Sequence, residues 1–182
     1  MTERAEKLQV VAATQIGELI ELVGAADDAT LHRPCPGRDK LGDGTIGATA
    51  AHTADSYQRI GTFVATSQRM ADREGSRQPD RHRIPGFLRA LGHTQNQHKA
   101  DGHSHQAGYT ADTVQPKEIA RRLTAARQDL AGIARLTDPQ LDAIPPKDSF
   151  RFCDGQRTLE QVLAGLLKHQ GHQVQALKAA LA

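Results

Sequence analysis

The chain has 182 residues, the size of one domain and long enough to bury a substantial core. Aromatic residues make up only 3% and Trp is absent, so the core has to be built from aliphatic side chains, which favours packed helices over a sheet sandwich. The net charge of +2 comes from basic residues scattered among acidic ones, which argues against a nucleic-acid partner.

The composition also argues against export and against a membrane partner. No apolar run approaches the length needed to cross a bilayer, and the first residues, MTERAEKLQ, lack the basic-then-apolar layout of a signal peptide. Two cysteines, Cys35 and Cys153, are too few for a disulfide framework. We therefore expect a cytoplasmic protein with reduced thiols.

The first two predicted helices flank a turn-rich connection. Apolar residues spaced by three and four predict a helix over Thr2–Val23, and the next segment, AADDATLHRPCPGRDKLGDG, is dense in Pro, Gly and Asp. A second helix is predicted to begin near residues 43–45 and to end at about Glu74, with an apolar seam that includes Tyr57. His52 lies beside this seam among small and polar neighbours, either as a ligand or as part of a solvated helix face.

The segment from about residue 75 to residue 112 interrupts the helical pattern. It combines Gly and Pro with five histidines: His82, His93, His98, His103 and His105. So long a connection inside a compact domain is typical of a functional lid or of a partly disordered segment. We expect a lid that becomes ordered on contact, while its histidines leave open the recruitment of a metal.

Helical periodicity returns at Pro116 and predicts a third helix that ends near Leu136. The last helix is predicted over Thr158–Ala182, because Thr158 and Gln161 fit a capping box. Its leucine-rich face carries His169 and, three residues later, His172, so the two imidazoles can converge on one point. They are either half of a metal site or basic side chains of the kind favoured near a helix C-terminus.

Four long amphipathic helices in one domain, residues 1–182, predict an all-α four-helix bundle. In a simple up-and-down topology the first and last connections lie at one end, where Cys35 and Cys153 would flank one pocket mouth. The longer second connection also permits a crossover. If the second and fourth helices are adjacent, His52 and His169 lie at similar depth.

Three segments together resemble the DinB-like (YfiT-like) family. PCPGRDKLGDGTIGATAAHTADSYQRI resembles the segment in which a Pro/Gly loop leads into a helix with one metal-binding histidine, here His52. RTLEQVLAGLLKHQGHQVQAL is similar to the last helix of the family, which carries two further ligand histidines, and QPKEIARRLTAARQDLAGIARLTDPQLD resembles its third helix. The chain departs from the H-x-x-x-H pattern of that last helix: Gln173 stands four residues after His169, and His172 comes one place early.

The resemblance implies a metal-dependent enzyme. DinB-like proteins include transferases that use low-molecular-weight thiols such as mycothiol or bacillithiol, a mycothiol-dependent isomerase and proteins regarded as hydrolases. The implied ligands of a divalent transition metal such as Zn or Ni are His52, His169 and His172, with Gln173 as the alternative to His172. A weakened site supplemented by a cysteine or a lid histidine stays open, as does loss of the metal.

Further residues are candidates for the pocket, and other functions stay open. The candidate pocket residues are Cys35, Cys153, Tyr57 and Arg59, and the lid arginines Arg81, Arg83 and Arg89 are candidates for pairing with carboxylates of the thiol. One alternative is a binding protein without turnover that sequesters a small molecule or soft metal ion. Another is a bundle that serves only to dimerise, and the chain is expected to be a monomer or a homodimer.

Overall fold

The computed structural model describes the backbone of residues 2–74 and 108–182 and the side chains of residues 2–65 and 108–182. Within these ranges the secondary structure is helical, and the β pairing is limited to one bridge between Pro34 and Thr45. The predicted all-α class is confirmed. The predicted lid residues Arg81, His82, Arg83, Arg89, His93, His98, His103 and His105 lie outside the described residues.

Four long helices and two short ones make up the described chain. The long helices are α1 (Glu3–Ala25), α3 (Ile46–Glu74), α4 (Pro116–Leu130) and α6 (Leu159–Leu181), and the short ones are α2 (Asp28–Leu31) and α5 (Asp138–Asp142). Two 3-10 turns, Ala111–Thr113 and Ala131–Arg135, flank α4. Each long helix corresponds to one predicted from apolar periodicity, whereas α2 and α5 lie in segments predicted as connections.

Side chains and proline determine where the long helices begin. Thr158 and Gln161 form the predicted capping box: Thr158 Oγ1 accepts from the Gln161 amide at 3.3 Å, and Gln161 Oε1 accepts from the Thr158 amide at 3.0 Å. At α1, Thr2 Oγ1 accepts from the Ala5 amide at 3.2 Å. Pro116 occupies the first turn of α4, where its missing N–H costs no hydrogen bond. These contacts satisfy amides that a helix N-terminus leaves without partners.

One aliphatic core joins the long helices. α1 and α3 each contact both α4 and α6, while α1 and α3 make few contacts with each other. The residues buried between the helices are mainly Leu, Ile, Val and Ala, as the composition requires; fully buried examples are Ile16, Leu19, Ile60, Leu123, Ile133 and Leu163. α6 thus packs directly against α3, the arrangement on which the predicted pairing of His52 with His169 depends.

Helices α1 and α6 run parallel. Near the start of both, the Arg4 guanidinium donates to the Glu160 carboxylate at 2.6 and 3.1 Å. Near the end of both, Lys178 Nζ lies 3.1 Å from Glu18 Oε2. The last connection therefore meets α6 at the end of the molecule where α1 begins.

Helix α3 runs antiparallel to this pair, and α4 runs parallel to α3. Ile46, at the start of α3, lines an apolar crevice with Val23 near the end of α1 and Leu177 near the end of α6. Gly61 lies against Asp129 near the C-terminal end of α4, and a hydrogen bond joins the segments that precede α3 and α4. The helices are thus arranged up, down, down, up.

The parallel arrangement of α3 and α4 contradicts the expectation, based on a simple up-and-down topology, that Cys35 and Cys153 lie at one end. Helix α4 begins at the level where α3 starts, and both helices run to the opposite end of the array. The connection with Cys35 therefore starts at one end of the helix array and the connection with Cys153 at the other. The sequence left this crossover open because the second connection is long.

Helix α1 contradicts the prediction that no segment is long and apolar enough to cross a bilayer. Its most apolar 18-residue window has a mean hydropathy of 1.3 and at most two charged residues, so by length and composition alone it passes that test. Three of its polar side chains have partners on other helices: Gln15 bonds to Tyr57, and Arg4 and Glu18 pair with α6. Its buried stripe contacts α4 and α6.

Candidate metal centre

His52 on α3 and His169 on α6 are the predicted ligands that the fold brings close to each other. Both imidazoles are half-buried, and they project from helices that pack together. Burial is the main cause that lowers the pKa of His52, and His169 adds to it, which agrees with this placement. Two residues that are more than a hundred positions apart in sequence therefore share one electrostatic environment.

Both imidazoles are held in the neutral form. Burial is the main cause that lowers the pKa of each below its usual value. For His52 the Asp55 carboxylate opposes this shift and Arg151 adds to it, and for His169 both Arg151 and Arg38 add to it. A neutral imidazole keeps a nitrogen lone pair free, so the site is suited to metal ligation near neutral pH.

The two candidates for a third ligand have different surroundings on α6. His172 is exposed, and its backbone carbonyl accepts a hydrogen bond from Arg38 Nη2 at 3.1 Å. Gln173 is only 5% exposed, and its Oε1 has no hydrogen-bond partner among the described residues. Because Gln173 follows His169 by one helical turn, this free acceptor lies on the same side of the helix as the imidazole.

A second glutamine provides an internal comparison. Gln170 is 3% exposed and its Oε1 also has no partner among the described residues, but it is rotated from His169 by about 100° around the helix. The buried hydroxyls of Thr49 and Thr53 on α3 do not satisfy either glutamine, because they donate to carbonyls of their own helix at 2.9 and 2.7 Å. Each unpaired buried acceptor costs about 1–3 kcal/mol.

Other side chains do not complete a ligand set of the usual kind. Within residues 2–65 and 108–182, no three His, Cys, Asp or Glu side chains converge on one point. A third ligand from the described part of the chain would therefore come from another residue type. Gln173 is the unpartnered buried acceptor that lies on the same side of α6 as His169.

Two aromatic rings border the histidines, and the sequence analysis missed both. The ring centroids of Phe152 and His169 are 6.1 Å apart, and those of Tyr109 and His52 are 6.4 Å apart, both with edge-on geometry. Phe152 has φ of 72°, in the left-handed region that a bulky side chain rarely adopts. This unusual backbone within the last connection accompanies the placement of the ring beside His169.

The first connection positions Tyr109. The Asp43 amide donates to the Tyr109 carbonyl at 3.1 Å, and the Ala111 amide donates to Asp43 Oδ2 at 2.8 Å. Gly42, with φ of 59°, passes so close that a Cβ there would overlap the Tyr109 carbonyl oxygen. The Pro/Gly-rich segment before α3 therefore holds the chain that precedes α4 next to His52.

The two predicted pocket residues on α3, Tyr57 and Arg59, have different surroundings. Tyr57 is fully buried and its hydroxyl donates to Gln15 Oε1 at 2.7 Å, so it joins α3 to α1 in the core. Arg59 pairs with Asp55 at 2.8 Å and remains near the candidate centre, since its charge lowers the pKa of His52. Of the two, Arg59 borders the histidines.

Both cysteines are buried free thiols. Burial raises the pKa of the Cys153 thiol, which reduces its thiolate fraction at neutral pH. Cys35 belongs to the connection that reaches α6 through a hydrogen bond from Arg33 Nη2 to the Ala180 carbonyl at 3.0 Å. A role for either thiol in metal binding stays a prediction.

Comparison of the chain with protein-family models, with curated protein sequences and with solved structures finds no match. The resemblance to DinB-like proteins therefore rests on the sequence motifs alone. The metal and its ligand set stay predictions.

Proposed function

We propose that the chain is a metal-dependent enzyme of the DinB-like type, with its four long helices forming a four-helix bundle. His52, His169 and Gln173 are the proposed ligands of a divalent transition metal such as Zn or Ni. The proposed reaction transfers a low-molecular-weight thiol of the mycothiol kind to an electrophilic small molecule, or hydrolyses such a molecule.

One observation carries this proposal. Two neutral, half-buried histidines from packed helices are accompanied by Gln173, a buried amide whose oxygen has no partner among the described residues. Buried acceptors are normally paired, so an unpaired one beside two potential ligands fits a bound cation better than simple core packing. We therefore prefer Gln173 to the exposed His172 as the third ligand.

The proposed ligand set determines what the metal would contribute. Two imidazoles and an amide oxygen are all neutral, so a bound divalent cation would keep its charge and supply Lewis acidity to a thiol or to water. An amide oxygen is a harder and weaker ligand for Zn or Ni than imidazole, so affinity should be lower than at a three-histidine site. Phe152 and Tyr109 would limit the approach of water from two sides.

The remaining proposals concern the setting of this activity. We propose a cytoplasmic monomer or homodimer that acts on small molecules without nucleic-acid or membrane partners. The contacts of α1 with α4 and α6 support its assignment as a helix of this array.

Elemental analysis of protein purified without a polyhistidine tag tests the proposal. We expect roughly one transition-metal ion per chain, as in other sites with three protein ligands. The signal should collapse in His52→Ala and in His169→Ala and persist in His172→Ala. His32→Ala is the matched control, because His32 is an exposed histidine that bonds to Asp112 at 2.9 Å. Metal-free protein whose melting temperature does not respond to Zn, Ni or Mn would refute the proposal.

A metal-binding protein without turnover is the second candidate, and the weak ligand Gln173 is the observation that favours it. Both candidates predict bound metal, so metal content does not separate them. Loss of free thiol in the presence of an electrophile such as chlorodinitrobenzene does separate them. Thiol consumption that requires His52 would establish an enzyme. Metal binding without thiol consumption, across a panel of thiols and electrophiles, would favour sequestration.

A further inference from the structure

We infer that Arg38 and Arg151 form an oxyanion-binding pair beside the two histidines, and that the small molecule accepted here carries a carboxylate or phosphate group. This inference rests on the proposed function for the location of the site. It adds the chemical class of the ligand, which neither the histidines nor Gln173 can specify. The two arginines come from the first and the last connection of the chain.

Arg38 is anchored against α6 near the candidate centre. Its Nη2 donates to the His172 carbonyl at 3.1 Å, and Nη1 has only a long contact of 3.4 Å with the Gly37 carbonyl. Its Nε is buried and has no partner among the described residues. One side of a rigidly held guanidinium is therefore satisfied, while another N–H is withdrawn from water and unpaired.

Arg151 approaches the same turn of α6 from the last connection. Its guanidinium carbon lies 5.4 Å from the centroid of the Phe152 ring, and that ring lies 6.1 Å from the His169 ring. The side chain is exposed, so its charge is available to a ligand. Burial is the main cause of the lowered pKa of His169, and both Arg151 and Arg38 add to it, which agrees with the positions that these contacts give.

Neither arginine has an acidic partner within ion-pair distance in the described part of the chain, in contrast to Arg4, Arg59 and Arg157. Arg4 pairs with three carboxylates, Arg59 with Asp55, and Arg157 with Asp154. Two guanidiniums without an acidic partner, beside two half-buried neutral imidazoles, raise the local positive potential. They are arranged to receive an anion.

The chemistry of the guanidinium identifies the kind of ligand. Its planar set of N–H donors matches the oxygens of a carboxylate or a phosphate, and the charge-assisted hydrogen bonds are stronger than neutral ones. Phe152 offers an apolar surface for the carbon skeleton of the same molecule. The electrophile, or the thiol that attacks it, should therefore be anionic.

Isothermal titration of the full chain with succinate and with its neutral analogue succinamide tests the inference at constant ionic strength. We expect succinate to bind and succinamide to fail. Arg151→Gln should weaken succinate binding at least about tenfold, the loss of roughly one charge-assisted hydrogen bond. A parallel titration with inorganic phosphate tells which oxyanion the pair prefers.

Arg157→Gln is the matched control, since Arg157 lies in the same connection, is also exposed, and already has Asp154 as its partner. It should bind succinate as the unmodified chain does. Equal binding of succinate and succinamide, or an equal loss in Arg151→Gln and Arg157→Gln, would overturn the inference. So would failure of both succinate and phosphate to bind.

Arg38→Gln should weaken succinate binding as Arg151→Gln does. Because Arg38 also holds its connection against α6, the melting temperature of this variant has to be compared with that of the unmodified chain. If Arg38→Gln fails to fold, the exposed Arg151 still decides the outcome. Bound metal without oxyanion binding would refute this inference alone, whereas Arg151-dependent oxyanion binding without metal would refute the proposed function alone.

Discussion

Replacing Gln173 separates a metal ligand from a residue that is merely buried. Gln173→Met keeps the length of the side chain and removes the polar amide. If the amide oxygen is only an unpaired acceptor, its removal should stabilise the folded chain equally with and without metal. If it is a ligand, the same substitution should stabilise the metal-free protein and weaken metal binding.

The magnitude follows from the burial of the side chain. Gln173 is 5% exposed and its Oε1 has no partner among the described residues, so removing this acceptor should stabilise the metal-free chain by about 1–3 kcal/mol. For a chain of this size each kcal/mol raises the melting temperature by roughly 2–4 °C. Gln173→His should instead raise metal affinity by at least about tenfold, or 1.4 kcal/mol, since imidazole is the stronger ligand.

Gln170→Met is the matched control, because Gln170 is equally buried and unpaired but points away from His169. Melting temperatures measured with and without Zn should show that both Met variants stabilise the metal-free protein. The additional stabilisation by Zn should be lost only in Gln173→Met. If Gln170→Met and Gln173→Met lose the Zn response equally, or if neither does, the assignment of Gln173 as a ligand is wrong.

Two further predictions concern pH and packing. Because the folded-state pKa values of His52 and His169 lie below 6.5, the unfolded chain binds more protons, and the metal-free protein should lose stability as pH falls from about 7 to 5. In urea titrations across this range, the free energy of unfolding should depend less steeply on pH in His52→Gln than in the unmodified chain. An unchanged pH dependence would contradict the lowered pKa assigned to His52. Gly61→Ala should destabilise by about 1–3 kcal/mol, because its Cβ would lie 2.8 Å from Asp129 Cβ and 3.3 Å from the Ala126 carbonyl oxygen. Gly17→Ala, with no atom within 4 Å of the added Cβ, should stabilise by up to about 1 kcal/mol in the same assay, and an equal effect of both would refute this packing.

The contrast between His172 and Gln173 shows which features of the candidate site can be predicted from helical spacing in the sequence. The sequence predicts that the imidazoles of His169 and His172 can converge, because residues three apart are neighbours on a helix. It does not predict which side of that helix is buried. Packing decides this, since it exposes His172 and buries the oxygen of Gln173.

The residues that the sequence analysis missed share one property. They all lie in connections, where no periodic pattern predicts the position of a side chain: Arg38, Tyr109, Arg151 and Phe152. Tyr109 reaches His52 only because Asp43 and Gly42 hold the chain before α4, and Phe152 reaches His169 through a backbone conformation that its residue type disfavours. Such placements depend on contacts between distant segments.

The sequence by itself determined the four long helices, the capping box of Thr158 with Gln161 and the aliphatic core, because burial repeats locally every three or four residues. Only the tertiary structure decided that α4 runs parallel to α3, which put Cys35 and Cys153 in connections that start from opposite ends. It also decided which polar groups on α6 are buried. These outcomes depend on how the helices pack against each other, which leaves no periodic signal in the chain.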